Sequence, residues 1–170
     1  MLVIGIDPGY ATSPTGVALV RFDGLTPRLV GAWTIRPRGL GWQARIDDVL
    51  GQLLALISPR VPVLAPRGPV LLSYELSYIG KNAQSALHLA QLGGGVRGVA
   101  LALGLRVVAV QPSESKLALA GRGGATKQEM IDKARQVFGP GLSEHESDAC
   151  GHAMAGEAKV RRQAVERKAT

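Results

Sequence analysis

Hydrophobic residues form short runs in the first part of the chain. Residues 2–6 carry no polar side chain, which predicts a strand buried on both faces at the centre of a sheet flanked by helices. Residues 17–22 and 29–35 form two further runs with a turn between them. We therefore expect the first three strands to make an antiparallel meander.

After this meander the apolar positions take the spacing of an amphipathic helix, which predicts a helix over 42–57. A proline-rich connector without regular structure is expected over 58–69, followed by a strand at 70–75. The remaining pattern predicts a long helix at 81–103, a parallel strand at 106–110 and three further helices. The whole pattern is that of an α/β domain.

Two of the predicted strands end in a carboxylate. Asp7 closes the first strand and Glu75 closes the fourth, and a buried acid is costly unless it meets a cation or hydrogen-bond donors. Ligands of open α/β sheets bind outside the carboxyl ends of the strands, so the pair indicates a catalytic or metal-binding site. Taken alone, Asp7 fits a simple turn equally well, because Pro8 and Gly9 follow it.

Two more groups of metal-ligand type open the last predicted helix. His145 and Asp148 lie three residues apart, so both can project from one face. A capping box gives the intervening Glu146 a structural role. A solvent-facing position is the alternative for His145, and we assign that position to His88 and His152, since neither has a partner acid at a matching spacing.

Phosphodiester hydrolysis requires a cluster of this kind. Two divalent ions held about 3.5 to 4 Å apart can activate a water and stabilise the leaving 3′-oxygen. Oxygen-rich ligands suit Mg²⁺, and an imidazole makes the site more tolerant of Mn²⁺ than carboxylates alone. The expected ligands of two such ions are Asp7, Glu75, His145 and Asp148.

Composition indicates one domain and a polyanionic partner. With 170 residues, 46% of them hydrophobic, the chain suffices for one well-cored domain, which we place at 1–156, with a basic tail at 157–170. The net charge of +7 favours nucleic acid as the partner. The tail is expected to be solvated, and contact with a phosphate backbone is its alternative role.

The sequence also indicates a cellular compartment. A single cysteine, Cys150, excludes an internal disulfide and suits reducing conditions. No uncharged apolar run is long enough for a membrane span, and no basic segment followed by an apolar run opens the chain. We expect a cytoplasmic protein without membrane contact.

A glycine cluster interrupts the helix predicted over 81–103. Each of these glycines costs about 1 kcal/mol relative to alanine inside a helix. Close approach of another helix, within the fold or across a dimer, would compensate this cost. A phosphate-binding glycine loop is the alternative, but no strand directly precedes the cluster and no Gly-Lys-Ser/Thr follows it. The cluster consists of Gly93, Gly94, Gly95 and Gly98.

Several pieces of the sequence together carry a family resemblance. They are GIDPG at 5–9, a later Thr15-Gly16, YELSYIGKN at 74–82, PSESKLALAGRGGATK at 112–127 and HESDA at 145–149. In this order and spacing the chain resembles the RuvC family of Holliday junction resolvases, in the RNase H-like superfamily, over most of its length. The resemblance implies an RNase H-like mixed five-stranded sheet, antiparallel over three strands and then parallel. It implies a bacterial or phage-encoded homodimer that cuts four-way DNA junctions by symmetric paired nicks, with a branch-migration helicase as a candidate partner.

The resemblance also implies roles for individual residues. It gives the metal positions to the acids and histidine named above. It puts Lys116 and Lys127 near the scissile phosphate, where they would neutralise developing charge. It makes the helix over 81–103 the homodimer interface, which accounts for the glycines. The DNA-binding residues that it implies are Tyr78, Lys81, Asn82 and Arg122.

The chain departs from the family pattern at two places. The loop between Asp7 and Thr15-Gly16 is longer than usual and contains Pro14, so its contacts are not carried over. Tyr78 replaces the commoner phenylalanine, which keeps a ring for base stacking and adds a hydroxyl. Other branched or hybrid nucleic acids are therefore the alternative substrates.

Two other functional classes compete with a nuclease. A phosphotransferase or ATPase of the actin/hexokinase type also ends its first strand in an aspartate, but it needs two comparable lobes, which 170 residues cannot supply. A non-catalytic nucleic-acid-binding module would explain the positive charge. The complete set of acids argues against that module.

Overall fold

The computed structural model describes residues 1–9, 12–64, 68–76 and 83–169, with side chains to residue 167. The strands are β1 (Leu2–Asp7), β2 (Thr15–Asp23), β3 (Thr26–Ile35), β4 (Val70–Glu75) and β5 (Arg106–Val110). The helices are α1 (Trp42–Ile57), α2 (Val61–Leu64), α3 (Ala83–Ala102), α4 (Pro112–Ala120), α5 (Lys127–Phe138) and α6 (Glu144–Ala169). Among these described helices, none has the length and apolar character that crossing a membrane requires.

The strands form one mixed sheet in the order β3-β2-β1-β4-β5. β2 is antiparallel to both β1 and β3, which confirms the predicted meander. β4 pairs parallel with β1, and β5 pairs parallel with β4. β1 therefore lies at the centre of the sheet, as its unbroken apolar sequence predicts.

Alternate side chains of β1 enter two different cores. Leu2, Ile4 and Ile6 belong to the core that α1 and α3 cover. Val3 belongs to the core on the opposite face, beneath α4, α5 and α6. Because successive side chains of a strand point to opposite faces, a strand covered on both sides has to be apolar at every position.

Three glycines let α6 lie very close to the sheet. A Cβ atom at Gly5 would stand 2.0 Å from a backbone oxygen of α6, and one at Gly16 would stand 2.0 Å from the backbone oxygen of His145. On α6 itself, a Cβ atom at Gly156 would stand 2.5 Å from the Cβ of Ser73 on β4. Any larger side chain at these places would push α6 away from β1, β2 and β4.

Two segments differ from the sequence expectation. The connector over 58–69 contains the single helical turn α2, which forms because Leu64 enters the core beneath α1. Residues 157–169 continue α6 rather than leaving it. Glu157 is buried, and Lys159 Nζ donates to a backbone oxygen of β5 at 3.1 Å. The first turn of the basic segment is therefore packed on the domain and not solvated.

The glycine cluster of α3 serves two surfaces. A Cβ atom at Gly95 would stand 2.4 Å from the side chain of Leu50 on α1, so this glycine permits close helix packing within the fold. Gly94 and Gly98 have nothing within 4 Å of their Cβ positions among the described residues. Helix packing thus explains part of the cluster, and its role in a dimer stays a prediction.

Candidate metal centre

β1 and β4 bring the two strand-end acids to one edge of the sheet. Ile6 lies beside Tyr74 in the parallel register, so Asp7 and Glu75 occupy the next step of the two strands. Side chains alternate between the faces of the sheet. Both acids therefore point to the face that α6 covers.

Hydrogen bonds fix the first turn of α6. The Ser143 N–H donates to the Glu146 carboxylate at 2.9 Å, and the Glu146 N–H donates to the Ser143 hydroxyl at 3.3 Å. These bonds confirm the predicted capping box. The Thr34 hydroxyl on β3 also donates to Glu146 Oε1 at 2.9 Å. The start of α6 is thereby anchored to β3, with its next residues directed at the end of β1.

The predicted metal-ligating residues meet in one open cleft. His145 Nδ1 lies 3.1 Å from Asp7 Oδ2. His145 thus contacts Asp7 instead of pointing only into solvent. Asp148 and Glu75 line the same cleft. Residues that are far apart in sequence thus converge from β1, β4 and α6, although their role as ligands stays a prediction.

The structure adds His152 to this cluster. The residue is 1% exposed, and its Nε2 lies 3.3 Å from Glu75 Oε2 and 3.8 Å from Asp7 Oδ1. The prediction that His152 faces solvent is wrong. Gly5 lets α6 approach the sheet at this turn of the helix, so the side chain is buried between them. The spacing contained a usable signal, since His152 follows Asp148 by four residues and so lies on the same helix face.

His88 is also buried, contrary to the expectation. Its ring stacks on Trp42 with 4.2 Å between the ring centroids and 18° between the planes. This contact joins α3 to α1. Packing explains the burial of His88, and the residue takes no part in the acid cluster described above.

Burial and mutual proximity move the pKa values of the acids apart. Burial alone would raise the pKa of Asp7, but its interactions with His145 and His152 outweigh burial and lower it. Burial raises the pKa of Glu75 and of Asp148, and the negative charge of Asp7 adds to both shifts. The hydrogen bond to Asp7 raises the pKa of His145. The two histidines therefore stabilise the ionised form of Asp7, whereas burial disfavours that of Glu75 and Asp148.

Two predicted cationic residues lie near the acids. Lys127 lines the cleft and forms an ion pair with Glu144 at the start of α6. Lys116 is half-buried on α4, and its charge opposes the upward shift in the pKa of Glu75. The charge of each lysine thus reaches the acids, and the action of both on a phosphate stays a prediction.

The predicted DNA-binding residues are placed only in part. Arg122 Nη2 donates to both carboxylate oxygens of Glu129 at 2.5 Å, which ties the loop before α5 to that helix. Tyr78, Lys81 and Asn82 lie outside the described residues. All four assignments stay predictions.

Comparison with known proteins decides the family. The model of the family described as crossover junction endodeoxyribonuclease RuvC matches residues 3–155. The chain belongs to the RuvC family. The RuvC of Anaeromyxobacter dehalogenans strain 2CP-1 is 36% identical over 156 residues, which cover 91% of this chain and 79% of that protein.

Solved structures of the RuvC family share the fold. The Thermus thermophilus RuvC structure matches with a TM-score of 0.71 and 25% identity, covering 96% of this chain and 97% of that chain. The same protein in complex with a Holliday junction substrate matches with a TM-score of 0.71 and 24% identity, covering 95% and 96%. The predicted RNase H-like mixed sheet with flanking helices is confirmed.

The donor set of this RuvC family member fits a divalent cation. One ligand atom each from Asp7, Glu75 and His152 lie within 4.8 Å of one another. The Nε2 atom of His152 is buried and has no hydrogen-bond partner among the described residues. Carboxylate oxygens are common ligands of Mg²⁺ and Mn²⁺, and an imidazole nitrogen suits Mn²⁺ better than Mg²⁺. The residues present can therefore hold such an ion.

We predict that Asp148→Asn raises the melting temperature of the cation-free protein at neutral pH. The folded protein raises the pKa of Asp148, so ionisation of this group costs stability above its folded pKa, and the cost disappears as the pH falls through that value. The expected gain is about 2–4 °C, which about 1 kcal/mol produces in a domain of this size. Calorimetry in EDTA measures it.

The gain should shrink on acidification and vanish when Mg²⁺ or Mn²⁺ is added, because only the wild-type protein keeps the full set of acids. Asp47→Asn, at an exposed position on α1, is the matched control and should change little. An Asp148→Asn protein that is less stable than wild type in EDTA would mean that Asp148 stabilises the fold directly.

Proposed function

We propose that this chain is a Holliday junction resolvase, a divalent-cation-dependent endonuclease that cuts four-way DNA junctions. The observation that carries the proposal is the convergence of Asp7, Glu75 and Asp148 in one open cleft. The chain belongs to the RuvC family, and its curated relatives are named crossover junction endodeoxyribonucleases. These names support junction DNA as the substrate.

The acids need cations before DNA can approach. Three carboxylates in one cleft repel a phosphodiester unless their charge is neutralised. Two Mg²⁺ or Mn²⁺ ions would supply that charge, activate the attacking water and stabilise the leaving 3′-oxygen. Asp7, Glu75 and Asp148 would hold these ions through carboxylate oxygens, and His145 would add a nitrogen ligand.

The basic residues would act on the DNA itself. Lys127 would exchange its ion pair with Glu144 for the scissile phosphate and neutralise charge that develops in the transition state. Lys116 would assist from α4. The net charge of +7 favours the approach of DNA as a whole. Base stacking and further backbone contacts are assigned to Tyr78, Lys81, Asn82 and Arg122.

A homodimer would form through the outward face of α3. Leu87, Gly94 and Leu101 are exposed and follow one another at steps of seven residues, the spacing at which two helices pack side by side. Gly98 lies on the same face without a side chain to keep a second helix away. A four-way junction has two-fold symmetry, so two copies would place one cleft at each of two opposite strands.

The proposal extends to the cellular setting. A cytoplasmic location agrees with the single Cys150, whose burial raises the pKa of its thiol to about 12 and so keeps it unreactive. A branch-migration helicase is the proposed functional partner. Both assignments rest on the family and on the proposed reaction.

We predict that Asp7→Asn lowers the rate of junction cleavage by about 10³-fold or more, because the central charge for cation binding is lost. Affinity for the junction should be unchanged or higher, because a negative charge that faces phosphate is also lost. The measurement is single-turnover cleavage of a labelled four-way junction in Mg²⁺, Mn²⁺ and EDTA, with band-shift binding alongside. Asp47→Asn should cut as wild type does.

The substrate panel decides between the resolvase and its rivals. Linear duplex and an RNA–DNA hybrid accompany the junction. Cleavage of the hybrid alone would indicate another RNase H-like nuclease. Binding without cleavage by the wild-type protein in every cation would indicate a non-catalytic binding module.

We predict that Gly94→Leu raises the dissociation constant of the dimer at least about 10-fold, equivalent to about 1.4 kcal/mol. Bulk at this position would keep the two α3 helices apart. Sedimentation measures the dimer, and a supercoiled plasmid with an extruded junction reports coupling, since paired nicks give linear product and single nicks give open circles.

The matched control for the interface is Gly51→Leu on α1, another helical glycine with open space at its Cβ position among the described residues. The control should remain dimeric and give linear plasmid. A wild-type monomer that gives linear product would contradict the dimer.

A further inference from the structure

We propose that His152 is a direct nitrogen ligand of the catalytic cation and makes the cation position between Asp7 and Glu75 selective for Mn²⁺ over Mg²⁺. This inference rests on the function proposed above and deepens it. His152 is not among the ligands that the sequence predicts, which are the two strand-end acids and the two residues at the start of α6.

The first observation is an unpartnered nitrogen deep in the protein. His152 is 1% exposed, and its Nε2 has no hydrogen-bond partner among the described residues. An unsatisfied buried polar atom destabilises the folded protein. The unpartnered Nε2 atom points at two carboxylates. Its partner is therefore a group that binds from solution.

The second observation is the hydrogen bond at the other ring nitrogen. His152 Nδ1 lies 2.6 Å from the hydroxyl of Ser115, a buried residue of α4. When Nδ1–H donates to that oxygen, the neutral ring keeps its lone pair on Nε2, which is the tautomer that a metal ion requires.

The distances suit coordination better than a direct hydrogen bond. Nε2 lies 3.3 Å from Glu75 Oε2 and 3.8 Å from Asp7 Oδ1. Ligands about 2.1 Å from one octahedral ion and at right angles to each other lie about 3 Å apart. Small movements of the flexible carboxylates would bring these distances to about 3 Å. The imidazole ring itself is held in place by Ser115 and by its own burial.

A simpler role would be to position the acids. In that case Ser115 donates to Nδ1, and Nε2–H points between Asp7 and Glu75. The lack of an aligned acceptor argues against this role. The two roles differ in whether Nε2 touches the ion, so the experiment has to detect that bond.

Metal choice follows from the ligand. Imidazole binds Mn²⁺, Co²⁺ and Zn²⁺ better than it binds Mg²⁺, whereas carboxylates serve both groups of ions. Loss of a partner that only supports a ligand costs about 10- to 100-fold in metal affinity. Replacing His152 itself by leucine should therefore weaken Mn²⁺ binding by at least about 10-fold and change Mg²⁺ binding less. Ser115→Ala, which leaves the ring but removes its support, should weaken Mn²⁺ binding in the same direction.

The decisive experiment needs no mutation. The chain has three histidines, so a ¹⁵N-histidine-labelled sample of the full chain gives three imidazole spin systems by NMR. With ¹¹³Cd²⁺ as the probe, we expect scalar splitting of His152 Nε2 by ¹¹³Cd. His88, whose ring stacks on Trp42, is the internal control and should remain unsplit.

An unsplit His152 in a sample where His145 is split would overturn the inference and leave the proposed function standing. If neither histidine is split and the same preparation does not cleave junctions in Mg²⁺ or Mn²⁺, both the role of His152 and the proposed function are overturned. Titration of Mn²⁺ by electron paramagnetic resonance, repeated with Mg²⁺ in competition, compares His152→Leu with His88→Phe. Equal Mn²⁺ affinity of His152→Leu and wild type would contradict the role of His152 as a ligand.

Discussion

The close contact of α6 with the sheet is the constraint on which the site depends. Gly5, Gly16 and Gly156 remove the side chains that would hold the helix away. The Ser73 hydroxyl then donates to the backbone oxygen of His152 at 2.7 Å, which fixes the rotation of the helix over β4. Acids on strands and imidazoles on a helix can meet within hydrogen-bond distance only at this separation.

That contact creates an electrostatic conflict. It places three carboxylates together in a partly desolvated cleft, where burial raises the pKa of Glu75 and Asp148 while Asp7 stays ionised. A fold selected only for stability would avoid this arrangement, since like charges in a low dielectric repel strongly. A bound divalent cation would attract all three carboxylates. The stability that the protein loses without a cation is therefore explained by the binding of such an ion.

The sequence predicted the elements whose patterns are local. β1 and β4 were predictable because a strand covered on both faces needs a continuous apolar run, and the acid that ends each run stood out against it. The capping box was predictable because it is also local, since Ser143 and Glu146 lie three residues apart and bond to each other. The family resemblance assigned His145 and Asp148 to the same site.

What the sequence did not give depends on contacts between distant segments. His152 was assigned to solvent because a helical sequence does not reveal which face its neighbours cover. The spacing of the α3 glycines also did not show that Gly95 faces α1 while Gly94 faces outward. The helical turn α2 and the packed start of the basic segment likewise depend on distant partners, since Leu64 enters the core and Lys159 donates to a backbone oxygen of β5.

The most direct test of this account is the position of a cation in the folded protein. Crystals grown or soaked with Mn²⁺ should give anomalous difference density at the cleft, within coordination distance of Asp7 and next to Glu75 and Asp148, with His145 released from its hydrogen bond to Asp7. Absence of anomalous density there at saturating Mn²⁺, with the His145–Asp7 hydrogen bond intact, would contradict the claim that these acids are assembled to bind a divalent ion.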